Sequence, residues 1–418
     1  MINILLGYGI SGLGFADYFK KKLIIYEKNK NAGGHVRSNK IGGIFFDEGA
    51  HISHTKSNFF KKKFYRKNNL IKIINPKVIS FYKGREVGYP INISLKKLKW
   101  SKKIRIILEY IYLVFQKKNI NNFKDWCEFN FGSTLYNDFY KAYTLKYWRT
   151  DPSKLDHKNW TNKRIVKRNI LKSFISIFFN TNKQELSYNI FYYPKKDGFY
   201  SFFKKKFSKH KANYSVKIKS INIEKKKFFI DKKIVSFDKL YSTIPLPEYL
   251  SLIKKIPTKV KKEIKKLKYT STICVNFSVK KRTNIDFHWC YFYDKNIEGS
   301  RMNVLSNILN DKSNKYFGQV EVFRRNDEII NLRKIKLNTK KHLIKLFKLE
   351  SDRDFDFIDI KVYKYSYPIP LINTNIQVIH DWLKSKNIVP FGLYGNWKYM
   401  WSDESYIHGK HQAEYYSK

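Results

Sequence analysis

The sequence predicts an α/β fold: an open parallel sheet of the Rossmann-like, dinucleotide-binding type, interleaved with a second region of mixed α+β structure. Three observations point there. The chain opens with a strand, a glycine turn, a helix and a second strand that ends on an acid. A long, aromatic-rich helical stretch follows. Strand-like segments then recur through the second half with no Gly/Ser-rich linker between them. Regions without linkers exchange chain segments rather than succeed one another.

The opening unit reads "MINILLGYGISGLGFADYFKKKLIIYEKNK". Residues 2–6 and 23–27 are expected as parallel strands flanking a helix from about Ser11 to Lys20. Between them, Gly7-Tyr8-Gly9-Ile10-Ser11-Gly12 is a G-x-G-x-x-G in its required context, and Glu27 closes the next strand. Gly7 permits the tight turn, Gly9 lets a pyrophosphate approach the backbone, and Gly12 lets helix and strand pack closely. The helix N-terminus near Ser11 offers free amides to phosphate. Glu27 can accept from ribose hydroxyls, and its charge disfavours a 2′-phosphate. NADP is thereby disfavoured, while FAD and NAD both remain open. Downstream, "YEKNKNAGGHVRS" adds Gly33-Gly34, then His35 and Arg37. A second glycine pair lets another backbone segment close over the same pyrophosphate, with Arg37 or His35 adding charge. A cofactor held from two sides is a resident one; the competing reading is a plain glycine turn.

The remaining elements follow in order. Residues from about 95 to 179 read as mostly helical, broken by the turn "RTDPSKLD". Residues 214–241 alternate as short strands, and a lysine-rich helix is expected over 247–268. Strands are expected at 271–280, 288–293, 319–324 and 360–366. From Ile376 the pattern is helix, strand, turn, helix. One domain is therefore expected from residues 1–75, 190–262 and 376–418, and a second from 76–189 and 263–375.

Bulk properties exclude several classes. The chain has 418 residues, 43% hydrophobic and 17% aromatic, which is ample for a packed interior and argues against disorder. The formal charge is +50, from 84 Lys+Arg against 34 Asp+Glu. The excess is mostly Lys in scattered runs, such as Lys61-Lys62-Lys63 and Lys204-Lys205-Lys206, and it accompanies abundant Asn, Ile, Phe and Tyr. Compositional drift explains all of these together. No nucleic-acid module accompanies the charge, so no specific nucleic-acid partner is expected. A weak attraction to acidic membrane surfaces is compatible with it. Cys127, Cys274 and Cys290 have no metal spacing and no close pairing, as in a reducing compartment. The longest apolar stretch, "IRIILEYIYLVF" at 104–115, is too short to span a bilayer and carries Arg105 and Glu109. It reads as a buried or amphipathic helix. With no signal peptide pattern at the N-terminus, a cytoplasmic location is expected; the oligomeric state is not readable.

With these motifs in order, the chain resembles the flavoprotein family of amine oxidases, protoporphyrinogen oxidases and UDP-galactopyranose mutases. E-x(5)-G-G after G-x-G-x-S-G-L carries the likeness first. "FFDEGAHISHTKSNFF", "KYWRTDPSKLDHKNWTNKRI", "YYPKKDGFYSFFKKKF" and "NYSVKIKSI" continue it, as do "YSYPIPLINTN" and the ending "GLYGNWKYMWSDESYIHGKHQAE". The resemblance implies FAD as cofactor and a Rossmann-like FAD-binding domain interleaved with a substrate domain. It places the backbone of Val216 at the adenine, His51 near the flavin face, and the helix start at Asp403 and Ser405 beside the isoalloxazine edge. Substrate contacts fall to Tyr367, Trp397 and Tyr399, with Arg301 where a diphosphate-binding arginine would sit. For Arg301 the competing reading is a surface arginine in a very basic protein; for His51, a buried hydrogen-bonded histidine. The family often has Arg after the glycine matching Gly392, where this chain has Leu393.

No metal cluster, Ser/His/Asp set or catalytic Cys presents itself, so the hard chemistry is expected from the flavin. The leading expectation is an FAD-dependent oxidoreductase of nucleotide-sugar or surface-polysaccharide metabolism, with hydride transfer to flavin N5. The alternative is a mutase in which reduced flavin N5 attacks a nucleotide sugar. A basic binding protein with a degenerate flavin fold is the non-enzymatic reading, and the intact glycine turn and Glu27 argue against it.

Overall fold

The computed structural model describes residues 1–116, 119–166, 168–179, 189–231, 233–281 and 284–418. Parts of the expected second domain, notably 180–188, therefore lie outside the described residues.

The first strand, Asn3–Leu6, is buried along its whole length. Ile4 and Leu6 face one hydrophobic cluster and Leu5 faces another, so both faces are covered, as a parallel sheet requires. Its neighbours are Leu23–Tyr26 on one side and Lys239–Ser242 on the other, both parallel to it. Ile388–Pro390 extends the sheet beyond Lys239–Ser242, also in parallel. A four-stranded sheet is thus assembled from the start, the middle and the end of the chain. The helix Ile10–Ala16 crosses it, shorter than the expected run to Lys20. It packs against the last helix, Ser402–Ser417, through two glycines. A Cβ on Gly14 would lie 2.0 Å from Tyr406 O, and one on Gly409 would lie 2.1 Å from Ser11 O. Only side chains of hydrogen let the two helices meet there.

The second sheet has seven strands, in the order Phe355–Pro368, Tyr269–Val279, Tyr316–Arg325, Arg301–Asn303, Trp289–Phe292, Val78–Tyr82, Arg85–Val87. Its pairs are antiparallel except Trp289–Phe292 with Val78–Tyr82. The sequence reading missed Val78–Tyr82, Arg85–Val87 and Arg301–Asn303. All are short, three to five residues, and each is a strand because its neighbours pair with it.

Helices of the 95–179 stretch are Trp100–Val114, Phe123–Leu135, Lys141–Tyr147, Thr161–Arg164 and Ile170–Phe178, with a π-helical turn at Tyr136–Tyr140. Asparagine side chains cap two of them: Asn122 accepts from Asp125 N, and Asn169 from Lys172 N. Asn331 likewise starts Leu332–Phe347, a helix the sequence reading passed over. The lysine-rich helix expected over 247–268 is two helices, Leu246–Ser251 and Thr258–Ile264, because Pro257 cannot continue the first and stands as N-cap of the second.

Candidate functional site

A cavity of about 790 Å³ lies between the two sheets, a volume within the range of cofactor and ligand sites. One end is formed by the opening turn. Gly7 has φ +88° and donates its N–H to Tyr26 O at 2.9 Å. Gly12 sits behind the cavity wall, where a Cβ would come 2.5 Å from Gly7 O. Gly9, the N-cap of Ile10–Ala16, has no side-chain cap, so the first amides of that helix point toward the cavity without a helical acceptor. Glu27 is buried at the end of its strand. It accepts from Tyr8 N at 2.8 Å, and from Asn29 N and Nδ2 at 2.9 and 2.6 Å. Three of about four acceptor positions on a carboxylate are used, which leaves one for a ligand hydroxyl. Val216 lines the same end, but its N–H already donates to Glu27 O at 3.0 Å, so any contact it makes is through its carbonyl or side chain.

The Gly33-Gly34 segment closes over the turn. Gly33 N donates to Tyr8 O at 2.9 Å, and a Cβ on Gly9 would lie 3.7 Å from Gly34 Cα. Two backbones meet here with no side chain between them, the cradle a pyrophosphate needs. The expected charge at this point is different from the sequence reading. Glu48 takes His35 Nδ1 at 2.9 Å and Arg37 Nε at 3.0 Å. Burial opposes ionisation of Glu48, yet the bond from His35 and the charge of Arg37 outweigh it and hold its pKa below the ordinary value. Arg37 therefore reaches the cavity partly neutralised.

The inner end is aromatic. His51 is stacked on Phe199, with ring centroids 5.1 Å apart, and its Nδ1 meets Gly49 O at 2.9 Å. A carbonyl can only accept, so Nδ1 carries the proton and neutral His51 has Nε2 free as an acceptor. Burial lowers its pKa, although Asp47 pulls the other way, so the neutral form holds at pH 7. His54 stands edge-on to Trp401 at 4.0 Å, and burial together with Arg164 lowers its pKa to about 4. Tyr367 and Tyr399 line the wall with ring centroids 5.6 Å apart. Trp401 Nε1 donates to the Tyr399 hydroxyl at 3.2 Å.

Two arginines converge there, and they are not equivalent. Arg301 is bonded through Nε and Nη2 to Glu321, its cross-strand neighbour, so the guanidinium favoured by the sequence reading is already neutralised. Arg164 was not singled out by that reading. It lies over the Tyr147 ring at 4.2 Å and within 6 Å of the Tyr367 and Tyr399 rings, at 5.8 and 5.6 Å. It also bonds the Tyr147 hydroxyl. Among the described residues it has no carboxylate partner. Burial works against its charge, but the surrounding tyrosine oxygens favour it, and it stays a cation.

The last helix begins at Ser402 beside the inner end, with Glu404 bonded back to Trp401 N at 2.8 Å. Asp403 and Ser405 line the cavity. The amides of Ser402 and Asp403 have no helical acceptor, whereas the Ser405 amide donates to Trp401 O at 2.8 Å and is spent within the helix. Trp397 is a correction. It is buried in the hydrophobic cluster beneath the parallel sheet, edge-on to Tyr269 at 6.4 Å, and does not line the cavity. Its backbone at φ +52° turns the side chain inward, and Trp401 takes the cavity position instead. Leu393 also lines the cavity, so no arginine follows Gly392 to meet a phosphate. Among the described residues no group of three or more His, Cys, Asp or Glu could hold a metal ion.

Residues 6–67 match the family model of an NAD(P)-binding Rossmann-like domain. No curated protein matched the sequence. Among solved structures, reduced UDP-galactopyranose mutase is similar at a TM-score of 0.87 and 21% identity, covering 99% of this chain and 95% of that one. A putative protoporphyrinogen oxidase from Exiguobacterium sp. 255-15 aligns at 0.76 and 12% identity, over 99% and 98% of the two chains. A putrescine oxidase variant aligns at 0.63 and 10% identity, also over 99% and 98%. The chain shares the fold of these mutase and oxidase structures across 99% of its length.

Proposed function

We propose that this protein is an FAD-dependent enzyme whose inner cavity takes an anionic nucleotide-sugar substrate, with mutase chemistry as the best-supported reading. Several features fit FAD: the Gly9 and Gly34 cradle, the uncapped helix start, the remaining acceptor on Glu27 and the free amides at Ser402 and Asp403. In this reading residues 1–75, 190–262 and 376–418 hold the cofactor, and 76–189 with 263–375 frame the substrate. FAD bound there supplies a redox-active ring that is electron-rich when reduced, and the dipole of the last helix favours that charge.

The observation that carries the substrate class is Arg164, a half-buried guanidinium ringed by tyrosines with no carboxylate partner among the described residues. A diphosphate supplies the missing charge and accepts from a planar, bidentate donor. An ammonium substrate meets the opposite situation. Two like charges about 5 Å apart at an effective dielectric constant near 20 repel by about 3 kcal/mol, which disfavours an amine. Tyr367 and Tyr399 orient the substrate and exclude water, Tyr147 holds Arg164 from behind, and neutral His51 offers Nε2 as a proton acceptor at the cavity wall.

A net oxidoreductase on a neutral or anionic substrate is the second reading, supported by the fold shared with the two oxidase structures. One experiment separates them. Purified protein should carry flavin absorbance. Turnover of a UDP-sugar by dithionite-reduced protein and not by oxidised protein selects the mutase. Anaerobic bleaching of the oxidised flavin by a substrate selects the oxidoreductase. Protein that is colourless and takes up no added FAD overturns both.

A further inference from the structure

The helix Trp100–Val114 has two apolar faces. Ile106 and Tyr110 point into the hydrophobic cluster below. On the other side Trp100, Ile104, Leu108, Ile111 and Phe115 recur at helical spacing, and each is between 50% and 82% exposed. The neighbouring helix Ile170–Phe178 continues the stripe with Leu171, Ile175 and Phe178, 46–71% exposed. The rings of Trp100 and Phe178 lie 5.9 Å apart and join the two into one surface. Contiguous exposed apolar surface of this kind marks a docking site.

Its border is cationic. Residues 96–105 hold six cations and no acid. Lys97 and Lys102 are paired with Glu86 and Asp138, and Lys103 is buried against Ile177 O. Among the described residues Lys96, Lys99 and Arg105 have no ion pair. The one acid of the helix, Glu109, is turned away to accept from Thr134 N at 3.0 Å and Thr134 Oγ1 at 2.8 Å.

We propose that this two-helix face docks in the plane of an anionic lipid bilayer. The apolar stripe would sit at the headgroup boundary, with Lys96, Lys99 and Arg105 on lipid phosphates. No helix among the described residues is long and apolar enough to cross a membrane, so the contact is in-plane. A second copy of the chain is the poorer occupant. A two-fold pairing would set these cations against their own copies, in a protein of charge +50. An anionic bilayer provides both the apolar phase and the opposite charge. The inference does not depend on the substrate reading above.

The test is co-sedimentation of the purified flavoprotein with sucrose-loaded vesicles of phosphatidylcholine, with and without phosphatidylglycerol. Binding is expected to the mixed vesicles and to weaken with salt. The double variant Ile104→Asn/Leu108→Asn should lose about tenfold or more of its partitioning. Both positions are exposed, so flavin absorbance and melting temperature should be unchanged. A second variant, Lys96→Glu/Lys99→Glu, should lose the preference for phosphatidylglycerol. Equal binding by wild type and the apolar variant would overturn the proposal, because the overall charge would then suffice. Absence of binding would overturn it, as would a concentration-dependent dimer that the Ile104/Leu108 substitutions dissociate.

Discussion

The two ends of the cavity are built from different materials. The end at Gly7, Gly9 and Glu27 is mostly backbone: amides, carbonyls and missing Cβ atoms, drawn chiefly from the first 38 residues. The inner end is side chains brought from distant segments: Arg164 from the helical region, Arg301 and Glu321 from adjacent strands, Tyr367 and Tyr399 from the last quarter. The first end grips whatever dinucleotide fits and carries little information about chemistry. The second end decides what is bound beside it, and its character turns on which arginine is balanced.

Arg301 and Arg164 therefore provide the sharpest contrast. Arg301→Met leaves Glu321 buried with an unmatched charge, and removing one partner of such a pair costs about 3–5 kcal/mol. Thermal or urea unfolding should show that loss. If Arg301→Met is as stable as wild type, Glu321 is not held by this pair and the division between structural and ligand-facing arginines fails.

At the backbone end, Gly9→Val puts a branched side chain into the gap where Gly9 faces Gly34 Cα. Retention of FAD should fall by roughly a hundredfold, about 2.7 kcal/mol, with the circular dichroism spectrum unchanged. Protein that purifies fully yellow would show that the cradle is not where the cofactor is held.

The same contrast explains what could be read from the chain. The opening turn was legible because every group it needs lies within one βαβ unit, so spacing alone encodes the geometry. The pairing of Arg301 with Glu321 was not, because the two are joined only by strand register. Arg164 has no local signal at all. It ends a four-residue helix, and its meaning comes from tyrosines contributed elsewhere. The pattern "NWKYMW" pointed to Trp397 as a substrate contact; its positive φ sends it into the core, and Trp401 lines the cavity instead. The lysine excess reads differently in sequence and in space. It is scattered in sequence, yet residues 96–105 collect beside an exposed apolar face.

The packing of the backbone end against the last helix can be tested through pH. Asp17 is buried and accepts from His210 at 2.7 Å, Lys63 at 2.8 Å and the Tyr406 hydroxyl at 2.6 Å. Burial raises its pKa, but those three bonds outweigh it and bring the value down to about 2 from 3.8. A depressed carboxylate pKa stabilises the fold above the unfolded value and loses that contribution as pH falls through the folded one. Stability should thus drop by about 2 kcal/mol between pH 4 and pH 2. Asp17→Asn should flatten that part of the profile. An identical acid limb in wild type and variant would remove Asp17 from the account.

The smallest expected effect says most about function. Arg164→Met removes a charge that no carboxylate balances among the described residues, so no buried acid there is left orphaned and stability should change little. A diphosphate in the inner cavity would lose one charged hydrogen-bonding partner. The dissociation constant for UDP should rise by about tenfold, or 1.4 kcal/mol, while flavin content stays as in wild type. Arg164→Lys should recover only part of it, because an ammonium keeps the charge and loses the planar fork. Unchanged UDP affinity in Arg164→Met would leave the guanidinium as a support for the tyrosine cluster and would return the choice of substrate to the oxidoreductase reading.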